Sequence, residues 1–187
     1  MTIQDALDLA LKHHMAGRLS EAEEIYKQIL QTDPKQPVAL HLLGVKSHQI
    51  GKNDVAVDLI SKALDVEPNY PEAHNNLGLA LQALNRPTEA IKSYRLALSL
   101  RGDYADAYSN LGDSLQFIGK HADAVFSYRK ALNINPGYSL ALNNLGNALQ
   151  ELGQLDKAVA SYKASLKLNP NYASFTPFLP ILNDIKR

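Results

Sequence analysis

The chain has 187 residues, in which 19 lysines and arginines balance 19 aspartates and glutamates, and 45% of the residues are hydrophobic. This length suits one soluble domain with a hydrophobic core, and the zero net charge gives no electrostatic reason to expect binding to nucleic acid or anionic lipid. The sequence contains no cysteine, which excludes disulfides, thiolate zinc sites and a cysteine nucleophile.

The first residues predict a helix and give no sign of a targeting segment. Thr2 and Asp5 have the spacing of a capping box with Asp in place of Glu, so a helix should begin at Ile3. The basic region and apolar stretch of a secretory signal are missing, and no apolar run approaches the roughly 20 residues of a membrane span. We therefore expect a cytoplasmic protein that does not insert into a membrane.

From Ile3 onwards the sequence realigns with itself every 34 residues. Five frames without insertion predict repeats at residues 3–36, 37–70, 71–104, 105–138 and 139–172, within one domain that spans residues 1–187. In every frame position 7 is Leu, position 8 is Gly or Ala, and position 20 is Ala. Position 24 holds a large residue in each frame: Tyr26, Ile60, Tyr94, Tyr128 and Tyr162.

Each frame predicts two helices joined by a tight turn, because apolar residues recur at helical spacing on both sides of a turn residue. That residue is Gly in four frames and Asn85 in the third. Asn is the best replacement for Gly in a left-handed turn, so Asn85 should keep it. The small residues at positions 8 and 20 should let paired helices approach closely. Since no pair can bury its apolar face alone, we expect the pairs to stack.

The C-terminal residues predict one more helix, over about residues 176–186. Thr176 can cap it, both Pro177 and Pro180 fit its first turn, and an apolar stripe includes Phe178 and Ile185. We expect this helix to cover the end of the stack. The alternative is that it docks onto another copy of the chain or onto a further domain.

Position 32 is Pro in four frames and Gly102 in the third. The residues at positions 7, 8, 20, 24 and 32 resemble the Leu-Gly, Ala, Tyr and Pro pattern of the tetratricopeptide repeat, from Ile3 to Tyr172. Only the Trp of that pattern, at position 4, is replaced throughout. The resemblance implies an all-α fold, a right-handed superhelical solenoid of five helix–turn–helix repeats plus the short C-terminal helix. It also implies that ligands bind on a concave side, lined by positions 2, 5, 6, 9, 12 and 13 of each first helix.

Side-chain amides predominate at these lining positions. Position 6 carries Asn76, Asn110 and Asn144 in the last three frames, and Asp8 and Leu42 in the first two. A primary amide offers two donors and an acceptor, so such a column could pair with the backbone of an extended polypeptide of almost any sequence. It resembles the asparagine ladder in the repeat region of bacterial O-GlcNAc transferase-like proteins. The other candidate binding residues are Asn75, Asn143, Asn147, Asp113, Gln82, Gln116, Gln150 and His48.

Charge is segregated between the lining positions and the rest of each frame. No lining position is Lys or Arg, whereas several are acidic, including Asp113 and Glu151. We therefore expect a protein or peptide partner that is extended and neutral to basic, and no phosphate-rich one. The Lys, Asn and Arg clamp of chaperone-binding repeat proteins is missing. We expect an open, solvated groove to leave the pKa values of Asp113 and Glu151 without a useful shift.

Catalysis and metal binding are disfavoured. His41 and His48 lie seven residues apart, about 10.5 Å along a helix, which is too far for both to bind one zinc ion. Neither a nucleophile motif nor a glycine-rich phosphate loop occurs. We therefore expect no enzyme activity, no metal and no cofactor, and we assign the tyrosines to packing.

Three functions remain open at this point. The first is a scaffold that binds an extended segment of a partner protein through the asparagine and glutamine side chains. The second is the substrate-recruiting region of an O-GlcNAc transferase-like enzyme whose catalytic domain is not in this sequence. The third is weak self-assembly through the terminal helices.

Overall fold

Residues 2–170 are described by a computed structural model, and within them the chain forms ten α-helices and no strand. This confirms the predicted all-α repeat fold, while the predicted helix at about 176–186 lies outside the described residues. No helix in this range is both long and apolar enough to span a membrane. The helices are α1 (Ile3–Met15), α2 (Leu19–Thr32), α3 (Pro37–Gln49), α4 (Asn53–Val66), α5 (Pro71–Ala83), α6 (Pro87–Leu100), α7 (Ala105–Phe117), α8 (His121–Ile134), α9 (Ser139–Glu151) and α10 (Leu155–Leu168).

The helix boundaries follow from local signals in the sequence. The odd-numbered helices begin at the residues with which the predicted frames begin. Thr2 and Asp5 form the predicted capping box, in which the Asp5 amide donates to Thr2 Oγ1 at 3.1 Å and the Thr2 amide donates to Asp5 Oδ2 at 2.8 Å. Pro37 and Pro71 each occupy the first turn of a helix, where a missing N–H breaks no hydrogen bond.

Every helix pair is joined by a turn residue with positive φ. Asn85 has a φ of 57°, and the four turn glycines have φ between 70° and 78°. The Arg86 amide donates to Leu81 O and the Asn85 amide donates to Gln82 O, both at 2.9 Å, which is the hydrogen-bond pattern of a Schellman motif. The prediction that Asn85 keeps the turn of its frame is therefore confirmed.

The chain divides into two compact units, Met1–Leu100 and Arg101–Arg187. In both units the glycine at position 8 lies against the large residue at position 24 of the same repeat. A Cβ atom on Gly78 would lie 2.4 Å from the Tyr94 ring, and one on Gly112 would lie 2.5 Å from the Tyr128 ring. Each of these helix pairs can therefore close around its tyrosine only because position 8 has no side chain.

The cores are built from the small and large residues of the repeat. Ala56, Ala90 and Ala124, at position 20, are fully buried. The position-24 tyrosines are buried as well, and none of the four is more than 1% exposed. These tyrosines pack inside the repeats as predicted, and only their hydroxyl groups carry polar chemistry.

Candidate functional site

The hydroxyl groups of the buried tyrosines are held by side chains of the first helices. Gln82 Oε1 accepts a hydrogen bond from the Tyr94 hydroxyl at 3.0 Å, and the Tyr162 hydroxyl lies 3.1 Å from Gln150 Oε1 and 2.7 Å from Asn147 Oδ1. These glutamines, predicted as ligand contacts, thus also have a structural role. The sequence holds a signal for it, since glutamine at position 12 accompanies tyrosine at position 24 in the last three frames.

In the Met1–Leu100 unit, Asn76 is connected to the preceding repeat through His41. The Asn76 Nδ2 atom lies 2.8 Å from His41 Nε2, and His41 Nδ1 lies 2.9 Å from the Tyr70 hydroxyl oxygen. Burial lowers the pKa of His41 to about 4, so its ring is neutral at pH 7. A neutral imidazole has one donor and one acceptor, so Asn76 donates to Nε2 and Nδ1–H donates to Tyr70.

In the Arg101–Arg187 unit, Asn144 is connected to the preceding repeat through Asp113. Asn144 Nδ2 and the Tyr128 hydroxyl both donate to Asp113 Oδ1, each at 2.8 Å. The Tyr128 hydroxyl also lies 3.1 Å from Gln116 Oε1. A hydroxyl has only one proton, so Tyr128 gives it to the carboxylate and can accept from the Gln116 amide, whose oxygen and nitrogen are interchangeable in shape.

The expectation that the lining leaves the pKa values of its acidic groups unshifted is wrong for Asp113. Burial raises the pKa of the Asp113 carboxyl, and the hydrogen bonds from Tyr128 and Asn144 only partly oppose this shift. Helix spacing is enough to predict that Asp113 lies on the lining face. It does not predict that Asp113 is partly buried, because that depends on side chains of α8 and α9. The surface is therefore locally enclosed at this residue.

The remaining predicted site residues differ in their accessibility. Asn75 and Asn143, at position 5, are only 4% and 6% exposed, and Asn143 Oδ1 has no hydrogen-bond partner among the described residues. Asn110 is half-buried on α7. His48 is also half-buried, and its Nδ1 lies 2.7 Å from Asn53 Oδ1 across the turn. In residues 2–170 no group of three His, Cys, Asp or Glu residues is arranged to hold a metal ion.

A cleft of about 390 Å³ opens on the Arg101–Arg187 unit. It contains two carboxylates, a histidine, a phenylalanine and a tyrosine, and no lysine or arginine lines it. Five of its seven lining residues occupy predicted lining positions of the fourth and fifth frames. The lining consists of Asp113, Gln116, Phe117, His121, Tyr128, Asn144 and Glu151.

Three family models of the tetratricopeptide repeat match this chain, over residues 46–85, 69–137 and 139–172. Among solved structures, MamA is 30% identical, with 88% of this chain and 96% of that chain covered and a TM-score of 0.78. YrrB, described as a TPR protein with an unusual peptide-binding site, is 20% identical over 89% of this chain and 86% of its own, with a TM-score of 0.75. A thermophilic TPR protein from Thermus thermophilus is 22% identical over 90% and 92% of the two chains, with a TM-score of 0.71. No curated protein sequence matches significantly.

Proposed function

Because the chain belongs to the tetratricopeptide repeat family, we propose that it is a non-catalytic scaffold whose first helices bind an extended segment of a partner protein. The peptide-binding site named for YrrB supports this function by analogy of fold. The observation that carries the proposal is the anchoring of Asn76 and Asn144. Each uses one amide hydrogen to bond to the preceding repeat.

An anchored amide is a good partner for a peptide backbone. After Asn76 has donated to His41, its side chain still has a second N–H and a carbonyl oxygen. The anchoring bond fixes the rotamer before a ligand arrives, so less conformational entropy is lost on binding. Asn144, which donates to Asp113, likewise keeps a second N–H, and its Oδ1, 3.5 Å from Asn143 Nδ2, keeps one further acceptor position. Asn110 has the same position in its repeat. These three asparagines are the proposed ladder, and the glutamines at position 12 support the tyrosines beside it.

The charge of the lining supports a neutral or basic partner. Asp113 and Glu151 lie in one cleft without a lysine or arginine. An acidic segment or a phosphate would meet only negative charge there, whereas a basic segment would be attracted. The proposed partner is therefore an extended, neutral to basic protein segment.

The test begins with a displayed library of random peptides about 12 residues long, which span about 40 Å when extended. Peptides selected on the wild-type chain are synthesised, and their affinities are measured for a triple variant, Asn76→Ala, Asn110→Ala and Asn144→Ala. We expect binding to weaken at least about tenfold, because three hydrogen bonds to the peptide backbone are lost. The control is Asn133→Ala, which removes an exposed amide of α8, on a second helix.

Circular dichroism shows whether a variant that loses affinity is still folded, and so separates lost peptide contacts from unfolding. Since Asn76 and Asn144 also bond to neighbouring repeats, each alanine should cost about 1 kcal/mol of stability without loss of helicity. Unchanged affinity in the triple variant would remove the ladder, and unfolding at room temperature would mean that the amides are chiefly structural. Recruitment for a glycosyltransferase and self-assembly through the terminal helices stay predictions that no observation favours over this one.

A further inference from the structure

The cleft of the Arg101–Arg187 unit combines negative charge with an uncovered aromatic ring. Phe117 lines it and is 68% exposed, so its ring is accessible to a ligand. Asp113 and Glu151 line the same cleft, from α7 and α9. An aromatic face beside carboxylates is the arrangement that receives a cation with a flat or apolar body.

Asp113 is held by neutral donors only. Its two hydrogen bonds, from Tyr128 and Asn144, both end on Oδ1, and a carboxylate has about four acceptor positions. No lysine or arginine lines the cleft, so the carboxylate has no permanently charged counter-ion there. Such a carboxylate forms a favourable ion pair with any cation that can reach it.

The other lining groups favour a donor-rich cation. Gln116 and Asn144 supply amides, and His121 Nδ1 is a buried atom with no hydrogen-bond partner among the described residues. An arginine side chain carries five N–H donors on a planar group that stacks on aromatic faces, whereas lysine carries three donors on a compact ammonium. A volume of about 390 Å³ is enough for one such side chain.

A carboxylate at position 9 beside a tyrosine at position 24 occurs only in the fourth frame of the sequence. Position 9, which Asp113 occupies, is Leu11, Val45, Leu79 and Asn147 in the other frames. The fifth repeat keeps the same tyrosine contact with a neutral side chain, since the Tyr162 hydroxyl donates to Asn147 Oδ1 at 2.7 Å. Holding the tyrosine therefore does not require a charge at position 9, and the carboxylate of Asp113 needs another explanation.

We propose that this cleft is a subsite for one arginine side chain of the bound polypeptide, with Asp113 and Glu151 facing the guanidinium and Phe117 stacking on it. The subsite rests on the proposed function, in which the first helices bind an extended segment. It adds a sequence preference to a surface that otherwise contacts the peptide backbone.

The test uses small probe molecules that can occupy the cleft without contacting the rest of the lining. Nα-acetyl-arginine amide is titrated into the full chain, labelled with ¹⁵N, and amide shifts are followed in ¹H–¹⁵N spectra. Nα-acetyl-citrulline amide has the same shape without the charge, and Nα-acetyl-lysine amide has the charge without the planar group. We expect millimolar binding of the arginine probe with shifts at residues 113–121 and 144–151, and binding at least about fivefold weaker for the other two.

The variant Asp113→Asn removes the charge and keeps an oxygen for Tyr128 and Asn144, as Asn147 does for Tyr162. This variant should bind the arginine probe about tenfold more weakly than the wild-type chain does. The control Asp123→Asn removes one charge from an exposed position of the first turn of α8 and should change affinity less than about twofold. Phe117→Ala should abolish the preference for arginine over lysine.

Three results would overturn the subsite: equal binding of arginine and citrulline probes, full binding by Asp113→Asn, or no shift in the cleft at any probe concentration. None of them depends on the ladder. If the arginine probe binds and the peptide library yields nothing, the subsite stands and the proposed function fails. If the library yields peptides that lack an enriched arginine and the probe does not bind, the proposed function stands and the subsite fails.

Discussion

The buried tyrosine at position 24 places one polar atom inside an otherwise apolar contact. Three repeats satisfy it with amide or carboxylate groups from the paired first helix, as Tyr162 does with Asn147 and Gln150. The first repeat does not, because His14 and Leu11 stand at the equivalent positions, and the Tyr26 hydroxyl has no partner among the described residues. Burial raises the pKa of Tyr26 to about 12, so the hydroxyl also keeps its proton.

Replacing these two tyrosines by phenylalanine should therefore have different effects. Tyr162→Phe leaves Asn147 and Gln150 without their partner and should lower the free energy of unfolding by about 1 to 2 kcal/mol. Tyr26→Phe removes a hydroxyl that makes no hydrogen bond and should be neutral or slightly stabilising. Urea unfolding followed by circular dichroism measures both. Equal losses in the two variants would contradict this account of the hydroxyl contacts.

At the scale of elements, α3 and α5 are joined by the contact of His41 with Tyr70 and Asn76. His41 is only 3% exposed, and the ring of Tyr70 lies edge-on to it with centroids 4.7 Å apart. Burial lowers the pKa of His41 from 6.5 to about 4. In the unfolded chain the histidine takes up its proton near pH 6.5, whereas in the folded chain it resists protonation until about pH 4.

This contact predicts a loss of stability in acid. The stabilising contribution of neutral His41 is fully present above about pH 6.5 and is lost as the pH falls towards 4, to a total on the order of 3 kcal/mol. Unfolding free energies measured from pH 7.5 to pH 4 should show this fall. His41→Gln keeps a polar side chain without a titrating group, so its stability should fall less over the same range, and a constant difference between the two proteins at all pH values would contradict the assignment.

The sequence predicted the elements better than it predicted the contacts between them. The 34-residue period located the starts of the five odd-numbered helices in residues 2–170, because turn glycines, helix caps and prolines act locally. It did not predict that Asp113 is partly buried or that the glutamines hold tyrosines. Those facts depend on side chains of other helices, 12 to 31 residues away in the chain. For the same reason, helix spacing alone places Asn75 among the lining residues, whereas its neighbours bury it.

At the scale of the whole molecule, the helices of the Met1–Leu100 unit differ in how far they pack against adjacent repeats. α3 packs against α2, α4 and α5, whereas α1 packs chiefly against α2. The consequence is visible on α1, where Leu9, Leu11 and Met15 are 39%, 43% and 81% exposed. In a stack of repeats, stability is approximately the sum of each repeat's own contribution and its contacts with adjacent repeats. The first repeat should therefore open before the second.

Hydrogen exchange monitored by NMR tests this order. We expect amides in the middle of α1 to open with a free energy at least about 2 kcal/mol below that of amides in the middle of α3. Intrinsic helix propensity predicts the reverse, because α1 is rich in Ala and Leu, whereas α3 contains Pro37, Val38, Gly44 and Val45. Faster exchange in α1 than in α3 would therefore indicate that packing between repeats, and not helix propensity, determines the stability of these helices. Faster exchange in α3 would mean that local propensity outweighs that packing, and the nearest-neighbour account of this chain would fail.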